Sequence, residues 1–369
     1  MKIRAAVLPA TGSPLEVMEV ELADPKEREV LVRLDWSGVC HSDQNAIDGT
    51  SETPCPAILG HEGAGVIEAV GPGSRLQVGQ RVALSWAPSC NECEECTRGL
   101  RHLCGAAWPA MGKGGLMDGT SRLSHDGETI FHNSFLSTFA EACVVPDASC
   151  VLIRADDPLD IASIVGCAVT TGIGAVWNTG QVRPGDRVAV FGCGGVGLSA
   201  IMGARAAGAE CVIAVDLSQE KLDDAIDCGA THAVQWQGDA ESTADAVRAL
   251  VGTGVDCAVE ATGRPEVATA CYLSTRVRGA AVLIGIPRAD AIVSFPALAL
   301  PRMERRILGS IYGSSYPPEM FPQLLELHRQ GRLPLEKLIS HRLPLDRVNE
   351  AFELMHQGAS RRVMLDVRS

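Results

Sequence analysis

RVAVFGCGGVGLSAIMGARAAGAECVIAVD, residues 187–216, is the stretch whose reading decides the fold. A strand-like run, Arg187–Phe191, leads into GCGGVG (192–197). A helix-like run of small residues follows, Gly195–Gly208, and a second apolar run, Cys211–Val215, ends on Asp216. GCGGVG fits G-x-G-x-x-G, a pattern that alone suits any tight strand-to-helix turn. Here it follows a strand and opens a helix, and Asp216 stands nineteen residues beyond Gly197. In that context Gly192, Gly194, Gly195 and Gly197 let the backbone approach a pyrophosphate at a helix N-terminus, and the Asp216 carboxylate accepts from a ribose hydroxyl. A carboxylate there repels a 2′-phosphate, so NAD is expected over NADP. The plainer reading of Asp216 is a solvated carboxylate at a strand end.

The alternation continues outward. Gln219–Cys228 is helix-like, and Cys257–Glu260 and Ala281–Ile286 are further apolar strands, a βαβα order that implies a parallel sheet with crossover helices. Residues 1 to about 165 read differently: short alternating runs such as Val30–Leu34, Gly65–Val70 and Arg81–Leu84, broken by Gly and Pro, give an all-β pattern. Gly105–Leu136 is Gly-rich and weakly periodic, and reads as an excursion of loops. After Ile311 come helical patterns at Pro318–Gln330 and Leu345–Gln357, then a closing strand, Val363–Val367. The fold class expected is α/β, with a β-rich part beside a doubly wound parallel sheet.

Composition narrows the function. The chain has 369 residues, enough for two domains, and 46% hydrophobic content. Its longest apolar stretches, such as Ala280–Ile286, fall well short of the ~20 residues that span a bilayer. The N-terminal MKIRAAVLPATG reads as a first strand rather than a signal peptide. A net charge of −13 argues against nucleic acid as a partner. Fourteen cysteines without export suggest reduced thiols in the cytoplasm, some of them holding metal.

Two ligand sets stand out among those cysteines. Cys90, Cys93, Cys96 and Cys104, spaced C-x2-C-x2-C-x7-C, offer four thiolates to one tetrahedral ion, the donor set of a closed structural zinc site. The competing reading, disulfides, needs an oxidising compartment that nothing else in the chain supports. The second set is dispersed: Cys40 in GVCHSD (38–43), His61 in GHE (60–62) and Cys167 in GCAVTTG (166–172). Two thiolates and an imidazole leave the fourth zinc position open for water or substrate. Singly, each has a bland reading as a buried core residue, the reading given to the remaining eight cysteines.

GVCHSD, GHEGAG, the four-cysteine lobe, GCAVTTGIGA and GCGGVG stand in the order of the zinc-dependent medium-chain alcohol dehydrogenases, and the chain resembles that family from its first strand to Arg361-Arg362. GLMDGTSR (115–122) and STFAE (137–141) resemble its longer-lobed members. The resemblance implies a GroES-like catalytic domain, residues 1–168 and 312–369, and a Rossmann coenzyme domain, 169–311. It implies catalytic zinc on Cys40, His61 and Cys167, with Glu62 able to approach the metal and Asp43 fixing the His61 tautomer. It gives Ser42 the alcohol proton, and His41 and Arg362 the pyrophosphate. Lys221 would face the adenosine ribose, Thr171 and Val196 the nicotinamide, and Ile284 and Ile286 would complete the coenzyme site. For His41, Lys221 and Arg362 the alternative is a solvated surface charge.

Two positions depart from the family. Asn45 stands where many relatives carry a proton-relay histidine, and an amide cannot act as a base near neutrality. Trp108 stands where the branch oxidising S-hydroxymethyl-glutathione carries an arginine for the glutathione carboxylate. The pocket implied is Trp86, Asn133, Ser134, Ile286 and Ile311, which suits a primary alcohol or aldehyde with an apolar or aromatic body, with or without a polar substituent. The alternatives are a thiol-adduct formaldehyde dehydrogenase and, more remotely, a non-catalytic nucleotide-binding protein on the same scaffold. A homodimer joined through Rossmann sheet edges is expected, with a tetramer as the alternative.

Overall fold

Alternating apolar residues and β-branched runs make the first 155 residues a strand-rich body. In the computed structural model, which describes residues 1–358 and 361–369, Lys2–Leu8, Glu16–Leu22, Leu123–His125, Glu128–His132 and Ala57–Ile58 close into a small barrel. A second sheet runs in the order Cys150–Leu152, Arg81–Leu84, Glu62–Val70, Glu29–Gly38, Val363–Asp366, His341–Pro344, with Ala142–Pro146 also paired to Glu29–Gly38. Both pack around one apolar core that includes Leu8, Leu34, Ile58, Phe135 and Phe139.

The stretch read as loops, Gly105–Leu136, holds more order than expected. Leu123–His125 and Glu128–His132 form an antiparallel hairpin, turned by Asp126 and Gly127 at φ 50° and 84°. Positive φ at both turn residues is the hairpin geometry that an Asp-Gly pair favours, so the signal lay in the sequence beneath the glycine content. The loop before it, 115–122, is pinned by Arg122, which donates to Glu29 at 2.5 and 2.8 Å in a buried pair and also reaches Asp118 at 2.8 Å.

The parallel sheet is as expected in class. Six strands run in the order His232–Gln235, Cys211–Asp216, Arg187–Phe191, Val255–Glu260, Thr275–Leu283, Arg306–Gly309, every neighbouring pair parallel. By chain order this is 3-2-1-4-5-6, whose direction reverses beside Arg187–Phe191 and so opens a crevice at the carboxyl ends of the strands. The strand expected at Ala281–Ile286 is longer and earlier, Thr275–Leu283.

The chain forms two compact units: Met1–Cys167 with Tyr316–Glu326 and Ile339–Ser369, and Ala168–Ser315 with Leu327–Leu338. The boundary expected at 312 thus falls at 316, and residues 327–338 join the parallel-sheet unit. A helical run, Leu159–Thr179, is 21 residues long and apolar enough by composition to cross a bilayer, against the expectation that no stretch approached that length. It is a core helix, with most of its residues buried.

Candidate active site

The first strand unit gathers the dispersed ligands. Cys40 caps the helix His41–Asp48, His61 and Glu62 lead into the strand Glu62–Val70, and Cys167 lies in a π-helical turn, Val165–Val169. Such turns recur at functional sites because they re-aim one side chain of a helix. The donor atoms of Cys40, His61, Glu62 and Cys167 all lie within 4.8 Å of one another, and all four residues are buried.

Asp43 organises this cluster. Its fully buried carboxylate accepts the Cys40 amide at 3.1 Å and the Gly60 amide at 3.1 Å, and meets His61 Nδ1 at 3.1 Å. A carboxylate only accepts, so Nδ1 carries the proton and Nε2 is left as the donor toward the cluster. Gly38 makes room: a Cβ there would overlap the Glu62 Oε2 atom.

Charge is balanced inside the site. Arg362 is 7% exposed, donates to the Val39 carbonyl at 2.6 Å and stands 3.3 Å from Glu62 Oε1. Burial pushes the Glu62 carboxyl up to about 7, against the pull of Arg362. A hydrogen bond from Cys167 holds the Cys40 thiol well below the usual thiol range, with His61 and Arg362 assisting, and the same contact together with burial raises Cys167. Burial opposes the charged form of His61, but the Asp43 carboxylate overcomes it and raises the imidazole.

The lobe cysteines form the second cluster, with Cys90, Cys93, Cys96 and Cys104 again within 4.8 Å. Main-chain amides point at the sulfurs: Cys90 N–H to Cys104 Sγ, Cys93 N–H to Cys90 Sγ and Gly105 N–H to Cys93 Sγ, each at 3.3 Å. Amide dipoles of this kind stabilise thiolates, and four sulfurs leave no open position. Both donor sets fit zinc: four thiolates for a closed site, and two thiolates with an imidazole for an open one.

In the parallel-sheet unit the glycine motif turns as the chemistry requires. Gly192 has φ 94°, and a Cβ on Gly197 would overlap the Gly192 carbonyl, so both positions need glycine. Asp216 ends its strand with Oδ2 accepting Cys193 N–H at 2.8 Å and Oδ1 accepting Ser218 N–H at 3.0 Å. A cavity of about 120 Å³ opens beside it, lined by Asp216, Leu217, Trp236, Thr262, Arg264 and Val267 among others.

Comparison with known proteins agrees with this geometry. Residues 26–155 match the alcohol dehydrogenase GroES-like domain, and residues 195–330 the zinc-binding dehydrogenase family. The S-(hydroxymethyl)glutathione dehydrogenase of Synechocystis sp. is 37% identical over 368 residues, covering 99% of this chain and all of that protein. The enzyme of the same name from Escherichia coli is 38% identical at the same coverage. The chain belongs to the zinc-dependent medium-chain alcohol dehydrogenase family. Among solved structures, an alcohol dehydrogenase zinc-binding domain protein from Burkholderia ambifaria matches with a TM-score of 0.95 and 35% identity, over 99% of both chains. Benzyl alcohol dehydrogenase from Acinetobacter calcoaceticus matches at 0.94 and 30%, over 100% of this chain and 99% of that one.

The remaining expected site residues of this dehydrogenase are placed as follows. Ser42 is exposed, its Oγ 3.9 Å from Cys40 Sγ, and His41 beside it is exposed at the helix start. Arg362 turns inward to Glu62 instead of standing at the surface. Thr171, Val196 and Lys221 are half-buried, Ile284 is buried and Ile286 is 63% exposed. Trp86 and Ile311 are half-buried; Asn133 is too, with its Oδ1 buried and lacking a hydrogen-bond partner. Ser134 sits at φ 51°, in left-handed backbone that non-glycine residues seldom adopt. Sequence reasoning missed Leu217, Trp236, Thr262 and Arg264. They follow the carboxyl ends of three parallel strands, and that placement was the signal available for them.

Proposed function

We propose that this protein is an NAD-dependent zinc alcohol dehydrogenase interconverting primary alcohols, with an apolar or aromatic body, and their aldehydes. The observation that carries the reading is the buried convergence of Cys40, His61, Glu62 and Cys167. Cys40, His61 and Cys167 would hold the catalytic zinc, and the four lobe cysteines a structural one. When bound, zinc supplies Lewis-acid polarisation of the substrate oxygen, and the nicotinamide gives or takes the hydride. Asp43 orients His61, and Arg362 lets the Glu62 carboxylate stay beside two thiols without uncompensated charge. Ser42, exposed next to Cys40, takes the alcohol proton. Asn45 cannot pass that proton on as a base, so its release runs through water or another group. His41 flanks the pyrophosphate, Asp216 accepts from the adenosine ribose with Lys221 nearby, and Thr171 and Val196 flank the nicotinamide. The anchored Asp216 carboxylate disfavours a 2′-phosphate, which supports NAD over NADP.

A second reading has its own support: the S-(hydroxymethyl)glutathione dehydrogenases are 37–38% identical over their full lengths. Against it stands Trp108, an uncharged indole where that activity is expected to need a cation. NADH formation measured with a panel of primary alcohols, with and without formaldehyde plus glutathione, decides between them. Turnover of free alcohols with two zincs per chain is the expected result; turnover of the thiol adduct alone would establish the second reading. We further propose a cytoplasmic homodimer. Among the described residues no disulfide joins any of the fourteen cysteines, as suits a reducing compartment. Arg306–Gly309 is an edge strand; Val277 lies on the strand paired with it, Ile292 and Leu298 lie in the segment between the two strands, and the three are 56%, 83% and 63% exposed.

A further inference from the structure

We propose that the parallel-sheet unit carries a second anion site: an arginine-lined groove at the amino ends of its strands that takes a dianionic phosphate group, free or in a small monoester. The inference goes beyond the dehydrogenase reading and does not depend on it. A cavity of about 440 Å³ is lined by Arg276, Arg278, Glu304 and Arg306. A neighbouring cavity of about 220 Å³ shares the three arginines and adds Arg183, Asp186 and Asp256 among others. Arg187–Phe191, Val255–Glu260, Thr275–Leu283 and Arg306–Gly309 all begin here. Because these strands are parallel, the groove lies at the opposite end of the sheet from the crevice at their carboxyl ends.

The carboxylates of the groove already have partners. Asp256 Oδ1 accepts the Arg276 Nε–H at 2.5 Å, and its Oδ2 accepts the Arg187 amide at 2.9 Å. Asp186 Oδ2 accepts the Arg183 amide at 2.8 Å, and Glu304 stands 3.3 Å from Arg278. Among the described residues the guanidinium groups of Arg183 and Arg306 have neither a hydrogen bond nor an ion pair. Four arginines thus face three carboxylates, in a chain whose net charge is −13. Like charges gathered in one concave place repel, and an anion seated among them relieves that repulsion. The planar guanidinium fork matches pairs of phosphate oxygens, and the larger cavity has the size of a small-molecule site. The same net charge repels a polymeric phosphate backbone, so the ligand is a small one.

The test titrates inorganic phosphate, and separately glycerol 3-phosphate, into the zinc-loaded full chain by isothermal calorimetry at low salt. NADH is present in excess, so that the coenzyme crevice is filled. One site per chain is expected; tighter binding of glycerol 3-phosphate assigns the site to a monoester, and tighter binding of phosphate to the free ion. Affinity for both probes is expected to fall about tenfold or more in Arg183→Ala/Arg306→Ala, whose thermal midpoint without phosphate stays at the wild-type value. Arg306→Lys, which keeps the charge but loses the fork, is expected to lose less. Absence of binding in the wild type, binding that NADH abolishes, or equal affinity in the double variant overturns the proposal.

Discussion

At Asp43 one carboxylate fixes three things: the start of a helix, the Gly60 turn and the tautomer of His61. Replacing it with alanine removes an acceptor from a buried site and frees the imidazole to rotate. Zinc retention on dialysis against a chelator, and kcat/KM, are both expected to fall about 10–100-fold in Asp43→Ala. His132 is the clearest titrating residue outside the site. Its Nε2 accepts the Arg122 amide at 3.1 Å, so Nδ1 bears the proton toward Ser137 Oγ at 3.3 Å. Burial, and then the Arg122 charge, depress it to about 3, with Asp118 opposing. The unfolded imidazole binds its proton near pH 6.5, above the folded value, so the unfolded state holds more protons between the two. Stability should therefore rise with pH across roughly 3 to 6.5 and be lost as pH falls through that window. In His132→Gln the fall of the thermal midpoint from pH 7 to pH 5 should be shallower; an equal slope would show that other groups carry it.

Among elements, the lobe is the one that depends most on its donors. Its helical pieces, Glu94–Thr97 and Arg101–Leu103, are four and three residues long, too short to persist on propensity alone. Metal binding is what orders such a segment. Cys93→Ser should lower zinc from two per chain to one and expose residues 91–104 to limited proteolysis, while far-UV dichroism keeps its wild-type shape. Cleavage no faster than wild type would mean that the lobe is ordered by packing. The helical run Leu159–Thr179 makes the complementary case. TTGIG (170–174), with two glycines and two threonines, has low intrinsic helix propensity, but burial of its side chains holds the helix and bends it into π turns.

For the whole molecule, the proposed dimer is a question of what covers an edge. Arg306–Gly309 pairs only with Thr275–Leu283 among the described residues, and edge strands flanked by exposed apolar side chains invite another chain. Sedimentation equilibrium should give about twice the chain mass for wild type and the single-chain mass for Ile292→Glu/Leu298→Glu. A wild-type mass of one chain would remove the dimer proposal.

The sequence by itself determined the parts whose chemistry allows few alternatives. A strand, three spaced glycines and a carboxylate at the next strand end describe a nucleotide crevice wherever they occur together, and four cysteines in fifteen residues are local enough to meet unaided. The dispersed set was legible only in company, because Cys40, His61 and Cys167 are far apart along the chain and each alone reads as core. Tertiary structure decided that they converge, that Arg362 turns inward to balance Glu62, and that Trp108 stands edge-on to Trp86. Those outcomes depend on burial, register and charge compensation between segments tens to hundreds of residues apart, and no local pattern encodes them.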